Sequence, residues 1–363
     1  MKTFACQCGN TLHFENSRCV SCGRDVGWCP SCKGMRSFTS TGTPAYTCDH
    51  CQASTVQCTN YRDFQVCNQM VAVTTTWEEA PAYCSCCALN RTIPDLSIPG
   101  NQEKWYQLET AKRRLLYNLD LLDLPYASVF DGFELPLTFE FKDDVVEEDG
   151  QVEKTFTGHA DGVITIHIRE ADPVEREKNR VAFGEAHRTL IGHFRHEIGH
   201  YYWQLLVQNR REEAFKVVFG DHDNPSYSEA LDTYYRNGPA PDWPQRCVSA
   251  YASMHPWEDF AETFRAYLEM ISVLDTAENV SLLLDEEEKE SFAGIELDTL
   301  LRHYEQLGIK ANELNRAMGL PDLVPEVFTP AVADKMRFIH RLVKTGRRMK
   351  RAWGMGQGAA GMG

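Results

Sequence analysis

His196, Glu197 and His200 stand in the order HEIGH, a spacing suited to metal-assisted hydrolysis. On an α-helix two residues four apart share a face, one turn apart, so both imidazoles can offer a nitrogen to a single cation. Glu197, beside the first of them, can take a proton from a water held by that cation. A zinc ion used this way keeps three protein ligands and one position for water, so a third ligand must come from elsewhere. His193 lies on the same stretch. Seven residues of helix span about 10 Å, too far for His193 and His200 to join His196 on one ion, and His193 reads as a core or supporting residue.

The stretch that must hold these residues, Arg180 to Asn209, reads as an uninterrupted helical pattern. Leu190, Phe194, Ile198, Tyr201, Tyr202, Leu205 and Leu206 recur at helical spacing with no proline among them. A second helix is predicted from Pro256, with Phe260, Phe264, Tyr267, Leu268 and Ile271 on its apolar face. Glu258 and Glu262 share a face of that helix. One carboxylate can meet the metal while the other, a turn on, orients a ligand histidine, which is the gluzincin arrangement. Glu258 is therefore the expected third ligand and Glu262 the acid behind a histidine, with Asp259 as the rival for either place. A solvated acidic helix start, favoured by the helix dipole, is the alternative without a metal. The metzincin pattern is set aside, because Trp203 stands where its glycine should be and Gln204 to Val207 offer no third histidine. Tyr227, Tyr234, Tyr251 and His255 are candidates for the donor that steadies a tetrahedral oxyanion.

The other chemistry-bearing residues are cysteines. Thirteen of fourteen precede residue 88 and only Cys247 follows, which marks a domain boundary. In a reducing compartment such short-spaced pairs are read as metal ligands before disulfides. Cys6, Cys8, Cys19 and Cys22 form one four-sulfur set, and Cys29, Cys32, Cys48 and Cys51 a second, both in the manner of zinc ribbons. Glycine follows Cys8 and Cys22, where a knuckle turns the backbone toward the thiolates. Cys58 and Cys67 could close a third site with Cys84 and Cys87, leaving Cys86 free, although Cys86 could replace either neighbour. A disulfide-stapled module and iron bound as in rubredoxin are the alternatives. So small a region lacks apolar residues for its own core, so metal binding is expected to drive its folding.

A length of 363 residues allows two or three domains, and the net charge of −15 argues against general nucleic-acid binding. No apolar run approaches the roughly 18 residues of a membrane span, and the N-terminus has no apolar signal core. No membrane association and a cytoplasmic location are expected. Leu89 to Gly100 reads as a proline-bearing connector. A helix is predicted through Trp105, Leu108, Ala111, Leu115, Leu116 and Leu119, then a β-rich stretch with a strand from Leu135 to Phe141, an acidic hairpin or loop from Asp143 to Lys154, and a strong strand from Gly162 to Ile168. That strand could border the cleft and accept an extended substrate at its edge, or be an ordinary sheet member. Short helices and loops over the cleft are expected from Phe219 to Met254. Beyond, Leu282 to Glu290 ends in a solvated acidic face, Leu297 to Leu307 and Pro330 to Val343 are helical, and the basic, Gly-rich end from Lys344 is expected to be disordered.

Taken together, the cysteine-rich start, LNRTIPDLS at 89–97, GHADGVITI at 158–166, RTLIGHFRHEIGHYYW at 188–203, HPWEDFAETF at 255–264 and NRAMGLPDL at 315–323 resemble a bacterial family of zinc-binding metallopeptidases with an N-terminal zinc ribbon. The resemblance extends to about Val343. It implies a gluzincin-like catalytic domain with zinc on His196, His200 and a carboxylate of the EDFAE block, and Glu197 as base. Cys6-x-Cys8 departs from the CxxC of the family's first ribbon, and Arg265 to Glu269 departs from its AHYLH.

The expected fold is α+β: a cysteine-rich zinc-ribbon region over 1–97, a mainly helical zincin-like domain with a small sheet over 98–343, and the tail 344–363. The expected function is a zinc-dependent metallopeptidase, with one catalytic and two to three structural zinc ions and Glu197 acting on a zinc-activated water. The ribbons would dock a peptide or protein substrate, or a protein partner. The alternative is a non-catalytic protein- or nucleic-acid-binding protein whose HExxH site is structural.

Overall fold

The computed structural model describes residues 2–42, 44–127, 133–146, 150–183, 188–282, 291–324 and 327–360. The acidic run at 285–290 lies outside the described residues.

The cysteine region is built from short strands that end at thiols. β1 (Phe4–Ala5) and β2 (Thr11–Leu12) form an antiparallel hairpin. A five-stranded antiparallel meander follows: β3 (Asp25–Cys29), β4 (Gly34–Ser40), β5 (Ala45–Cys48), β6 (Ser54–Gln57) and, after the short helix α1 (Thr59–Arg62), β7 (Met70–Ala72). Three sets of four sulfurs come together, each within 4.8 Å: Cys6, Cys8, Cys19 and Cys22; Cys29, Cys32, Cys48 and Cys51; Cys58, Cys67, Cys84 and Cys87. The one-residue gap between Cys6 and Cys8 does not keep them apart. In the first two sets the residue after each pair is left-handed, at Gly9, Gly23, Lys33 and Gln52. Glycine adopts that conformation freely, whereas Lys33 and Gln52 hold it at a cost of about 1–2 kcal/mol each. Cys86 stands outside the third set, its buried sulfur accepting a hydrogen bond from Gln69 Nε2 at 3.2 Å.

The connector is not merely a linker. Its β8 (Asn90–Thr92) pairs in parallel with a strand of the next region. The long helix α2 (Asn101–Leu121) follows, and then β9 (Thr138–Lys142), the small hairpin β10 (Val145–Val146) and β11 (Val152–Glu153), and the strands β12 (Gly158–Ala160) and β13 (Val163–His167). The main sheet runs β12-β13-β9-β8, with β9 parallel to both neighbours and β12 antiparallel at the end. The alternation of Ile164 and Ile166, both fully buried, sends one face of β13 into the core.

Helices make up the remainder: α3 (Pro173–Phe183), α4 (Leu190–Leu206), α5 (Glu212–Phe219), α6 (Tyr227–Asn237), α7 (Trp243–Arg246), α8 (Pro256–Asn279), α9 (Leu297–Ala317) and α10 (Pro330–Ala360). The helical pattern predicted from Arg180 is divided. Thr189 caps α4, its hydroxyl accepting from the Gly192 amide at 3.1 Å, and this capping preference fixes the start that apolar spacing does not reveal. At the far end α10 carries the basic stretch where disorder was expected, with Lys350 and Arg351 reaching Asp123 on the turn after α2. Among the described residues no helix is long and apolar enough to cross a membrane.

The cysteine region and the helices share one apolar core, which continues from Cys58, Cys67 and Cys84 through Leu108 and Leu115 to Phe194 and Phe264. A buried polar group crosses the same junction. Lys112 of α2, wholly buried, pairs with Glu109 at 2.9 Å, bonds the Asn90 side chain of β8, and lies 5.6 Å over the rings of Phe139 and Phe141. The next residue, Arg113, donates to the Val66 carbonyl at 2.7 Å, beside Cys67. Two cations thus stand against the third sulfur set, which as a four-thiolate metal site would carry net negative charge. Replacing Lys112 by methionine strands the Glu109 carboxylate in the core. The expected loss is about 3–5 kcal/mol in urea unfolding, with much of it restored in Glu109→Gln/Lys112→Met. Equal losses in the single and double variants would show that the pair does not matter.

Candidate metal centre

The site is a meeting of α4 and α8, and Gly199 sets how close they come. A Cβ built on Gly199 would stand 2.9 Å from the Ala261 Cα and 3.1 Å from its carbonyl oxygen. Side chains one turn either side of this crossing therefore face each other at short range. α8 starts at Pro256 with His255 as its cap, the imidazole Nδ1 accepting from the Trp257 amide at 3.2 Å while Nε2 bonds the His222 carbonyl at 3.1 Å.

From these two helices His196, His200 and Glu258 bring one ligand atom each within 4.8 Å of the others. His196 Nε2 is 3.1 Å from His200 Nε2 and 3.0 Å from Glu258 Oε2, which in turn is 3.5 Å from His200 Nε2. On its other side His196 Nδ1 lies 2.8 Å from Glu262 Oε1. With Nδ1–H donating there, the Nε2 lone pair faces the centre. Glu262 is itself held by Ser249 Oγ at 2.7 Å and by Arg265 at 3.3 Å. Glu258 uses its second oxygen, Oε1, to accept from the Tyr227 hydroxyl at 2.9 Å.

Electrostatics make this a trap for positive charge. Burial disfavours a charged His196, yet Glu258 and Glu262 outweigh it and raise the imidazole well above its usual range. Burial likewise opposes the Glu258 carboxylate, and the two histidines overcome it, holding the group well below the ordinary value. Glu197 is buried beside them, and burial pushes its carboxyl up despite the pull of His196 and His200, the direction a general base near neutral pH requires.

Asp259, the rival for the ligand or orienting place, faces the other way. It pairs with Lys335 of α10 at 2.5 Å, and burial carries it up to about 6 against the pull of that lysine. His193 sits 3.6 Å from Glu170, outside the cluster. Of the four candidate oxyanion donors, His255 is spent on the helix cap and Tyr227 on Glu258. Tyr251 lies with its ring 6.2 Å from that of His196 and 5.9 Å from that of Tyr234. Burial raises Tyr227 and Tyr251 well above the usual phenol range, so both hydroxyls stay protonated.

The strong strand predicted at 162–168 is paired on both edges, by β12 and β9, so it cannot accept a substrate at its own edge. Of the sheet's two edge strands, β12 and β8, β12 lies against α4: His159 meets the Tyr201 ring at 6.1 Å, and Gln204 bonds Asp161, just beyond the strand, at 2.9 Å. Residues that the sequence did not single out also shape the centre. Trp257 lays its ring 4.1 Å from that of His200, and Ser249 reaches Glu262 from a loop. Only Arg265, three residues from Glu262 on one helix, left a readable signal.

The model of a family described as "Putative zinc-binding metallo-peptidase" matches residues 101–342, and that of a zinc-ribbon domain matches residues 3–98. An uncharacterized protein of Mycobacterium bovis and uncharacterized proteins of two strains of Mycobacterium tuberculosis are each 36% identical to the chain over 348 residues, covering 94% of it and 95% of the relative. No solved structure matches.

Proposed function

The chain belongs to this zinc-binding metallopeptidase family, and from that premise we propose that it hydrolyses peptide bonds at a zinc ion held by His196, His200 and Glu258. The observation that carries this reading is the convergence of two imidazole nitrogens and a carboxylate oxygen at 3.0–3.5 Å, with Glu258 Oε2 accepting no hydrogen bond among the described residues. Lone pairs crowded so closely in a buried place repel unless a cation stands among them. Two imidazoles and one carboxylate are the ligand set of a catalytic rather than a structural zinc site, and the pinned Nδ1 of His196 is the outer support such ligands need.

Zinc there supplies Lewis acidity, which makes a water ligand easier to deprotonate and polarises the carbonyl to be cleaved. Glu197 takes the proton of the attacking water and returns it to the leaving amine. Glu262 keeps His196 in one tautomer and orientation. An extended peptide is held along the open edge of β12 by backbone hydrogen bonds. Tyr251, whose hydroxyl is not spent on a ligand, donates to the developing oxyanion. Each of the three cysteine sets holds a structural zinc ion, and the ribbons dock substrate or a protein partner. With a net charge of −15, a nucleic-acid partner is disfavoured.

The test is elemental analysis of the wild type beside His196→Ala/Glu258→Ala, both purified without added metal. Four zinc ions falling to three is the expected result. Three or fewer in both proteins would leave the α4–α8 centre without a metal and favour a binding protein.

A further inference from the structure

We infer that Tyr227 is a positioning residue that holds Glu258 to the metal through one oxygen and so keeps the position for water open. The inference rests on the reading of His196, His200 and Glu258 as zinc ligands.

A glutamate carboxylate can meet a metal through one oxygen or both, and it turns readily about its last bond. In this protein its two oxygens are divided. Oε2 faces His196 and His200, while Oε1 accepts from the Tyr227 hydroxyl at 2.9 Å. With Oε1 engaged, a second bond from Glu258 is disfavoured, and zinc with two imidazoles and one oxygen retains its fourth place. Were both oxygens bound, they would occupy the position that a catalytic site leaves for water.

Tyr227 is built to stay where it is. It is the first residue of α6, whose start is fixed by a reciprocal capping box between Ser226 and Glu229. Its ring meets the edges of His255 at 5.4 Å and Trp257 at 5.7 Å, and His255 is itself tied at both nitrogens. His196 is supported by Glu262, whereas His200 Nδ1 has no partner among the described residues. Among the described residues, Tyr227 is therefore one of two hydrogen-bonding supports behind the three ligand groups, and the one acting on the carboxylate.

The experiment compares the wild type with Tyr227→Phe, which keeps the ring and removes only the hydroxyl. Chelator competition is read on the single zinc ion that His196→Ala/His200→Ala lacks, and thermal melting checks the fold. The zinc dissociation constant is expected to rise about 10–100-fold in Tyr227→Phe, the usual effect of losing an outer support. With cobalt in the same site, the visible absorption is expected to weaken as Glu258 adds its second oxygen and four-coordination gives way to five. In the Glu258→Gln background the same change should cause no further loss, because its action passes through the carboxylate. This comparison also decides the matter if Tyr227→Phe melts early. Tyr235→Phe, a change on an exposed ring, sets the baseline.

A dissociation constant within twofold of wild type together with an unchanged cobalt spectrum overturns the inference on Tyr227 and leaves the metal centre standing. If the wild type has no zinc ion that the histidine variant lacks, the metal centre falls and the inference falls with it.

Discussion

Glu197→Gln is expected to lower peptide hydrolysis by about 10²–10⁴-fold, the usual share of a positioned general base, while leaving the zinc content at the wild-type value. The amide fills the same space but cannot accept a proton. Its neighbours, His196 and His200, keep their contacts with Glu258 and Glu262, so metal retention separates loss of chemistry from loss of the site. The measurement is turnover of the best sequence from a mixed peptide library, with zinc counted in the same preparation. Cleavage that survives at more than about a tenth of the wild-type rate would assign the base elsewhere. If no peptide is cleaved by the wild type, a different amide or a binding role takes the peptidase's place.

The second large effect lies far from that carboxylate. Cys84→Ser should remove one zinc ion and with it the cooperative folding of both regions. Zinc at a four-sulfur site contributes on the order of 10–16 kcal/mol in small domains, as much as the whole stability of an ordinary one, about 5–15 kcal/mol. The site in question touches the core that α2 shares with the sheet, and Arg113 binds the carbonyl of Val66 beside Cys67. Cys86→Ser is the matched comparison, since its sulfur bonds Gln69 and stands outside the set. Urea unfolding and zinc content together check the claim. A Cys84→Ser protein that keeps its zinc count, or loses a zinc ion and still unfolds at the wild-type midpoint, would refute it.

Much of the centre was legible because it is local. His196, Glu197 and His200 lie within one turn of helix, and Glu258 with Glu262 repeats that spacing on another, so residue type and the 3.6-residue period suffice to pair them. The four-sulfur sets were legible for the same reason. Asp259 illustrates the limit: one residue from Glu258, it differs in nothing but direction, and Lys335 on α10 draws it to the other side of the helix. Tyr227 was visible only as one of four polar groups, because its role depends on where α6 comes to rest against Glu258. The sheet was harder still. β8 is three residues in a stretch that reads as a linker, and β12 is three residues preceding a far stronger strand. Neither has enough length for alternation to register, and both are specified by the neighbour they pair with. The division of the predicted helix at Thr189 is a capping effect, carried by one side chain against a continuous apolar pattern.

The parallel pairing of β8 with β9 bears on how the polypeptide is made. Synthesis delivers the cysteine region first, and β8 leaves the ribosome with it. Its partner follows only after all of α2, and β13 and β12 later still. Until β9 emerges, β8 has an unpaired edge, and Lys112 arrives with α2 before the two phenylalanine rings that will cover it. Zinc captured early by the first two cysteine sets can order their strands during this interval, whereas the junction must wait for the downstream chain. The order of emergence thus makes the cysteine region a platform on which the helical half is assembled, and a nascent chain halted just after α2 should expose the junction to protease while protecting the first ribbon.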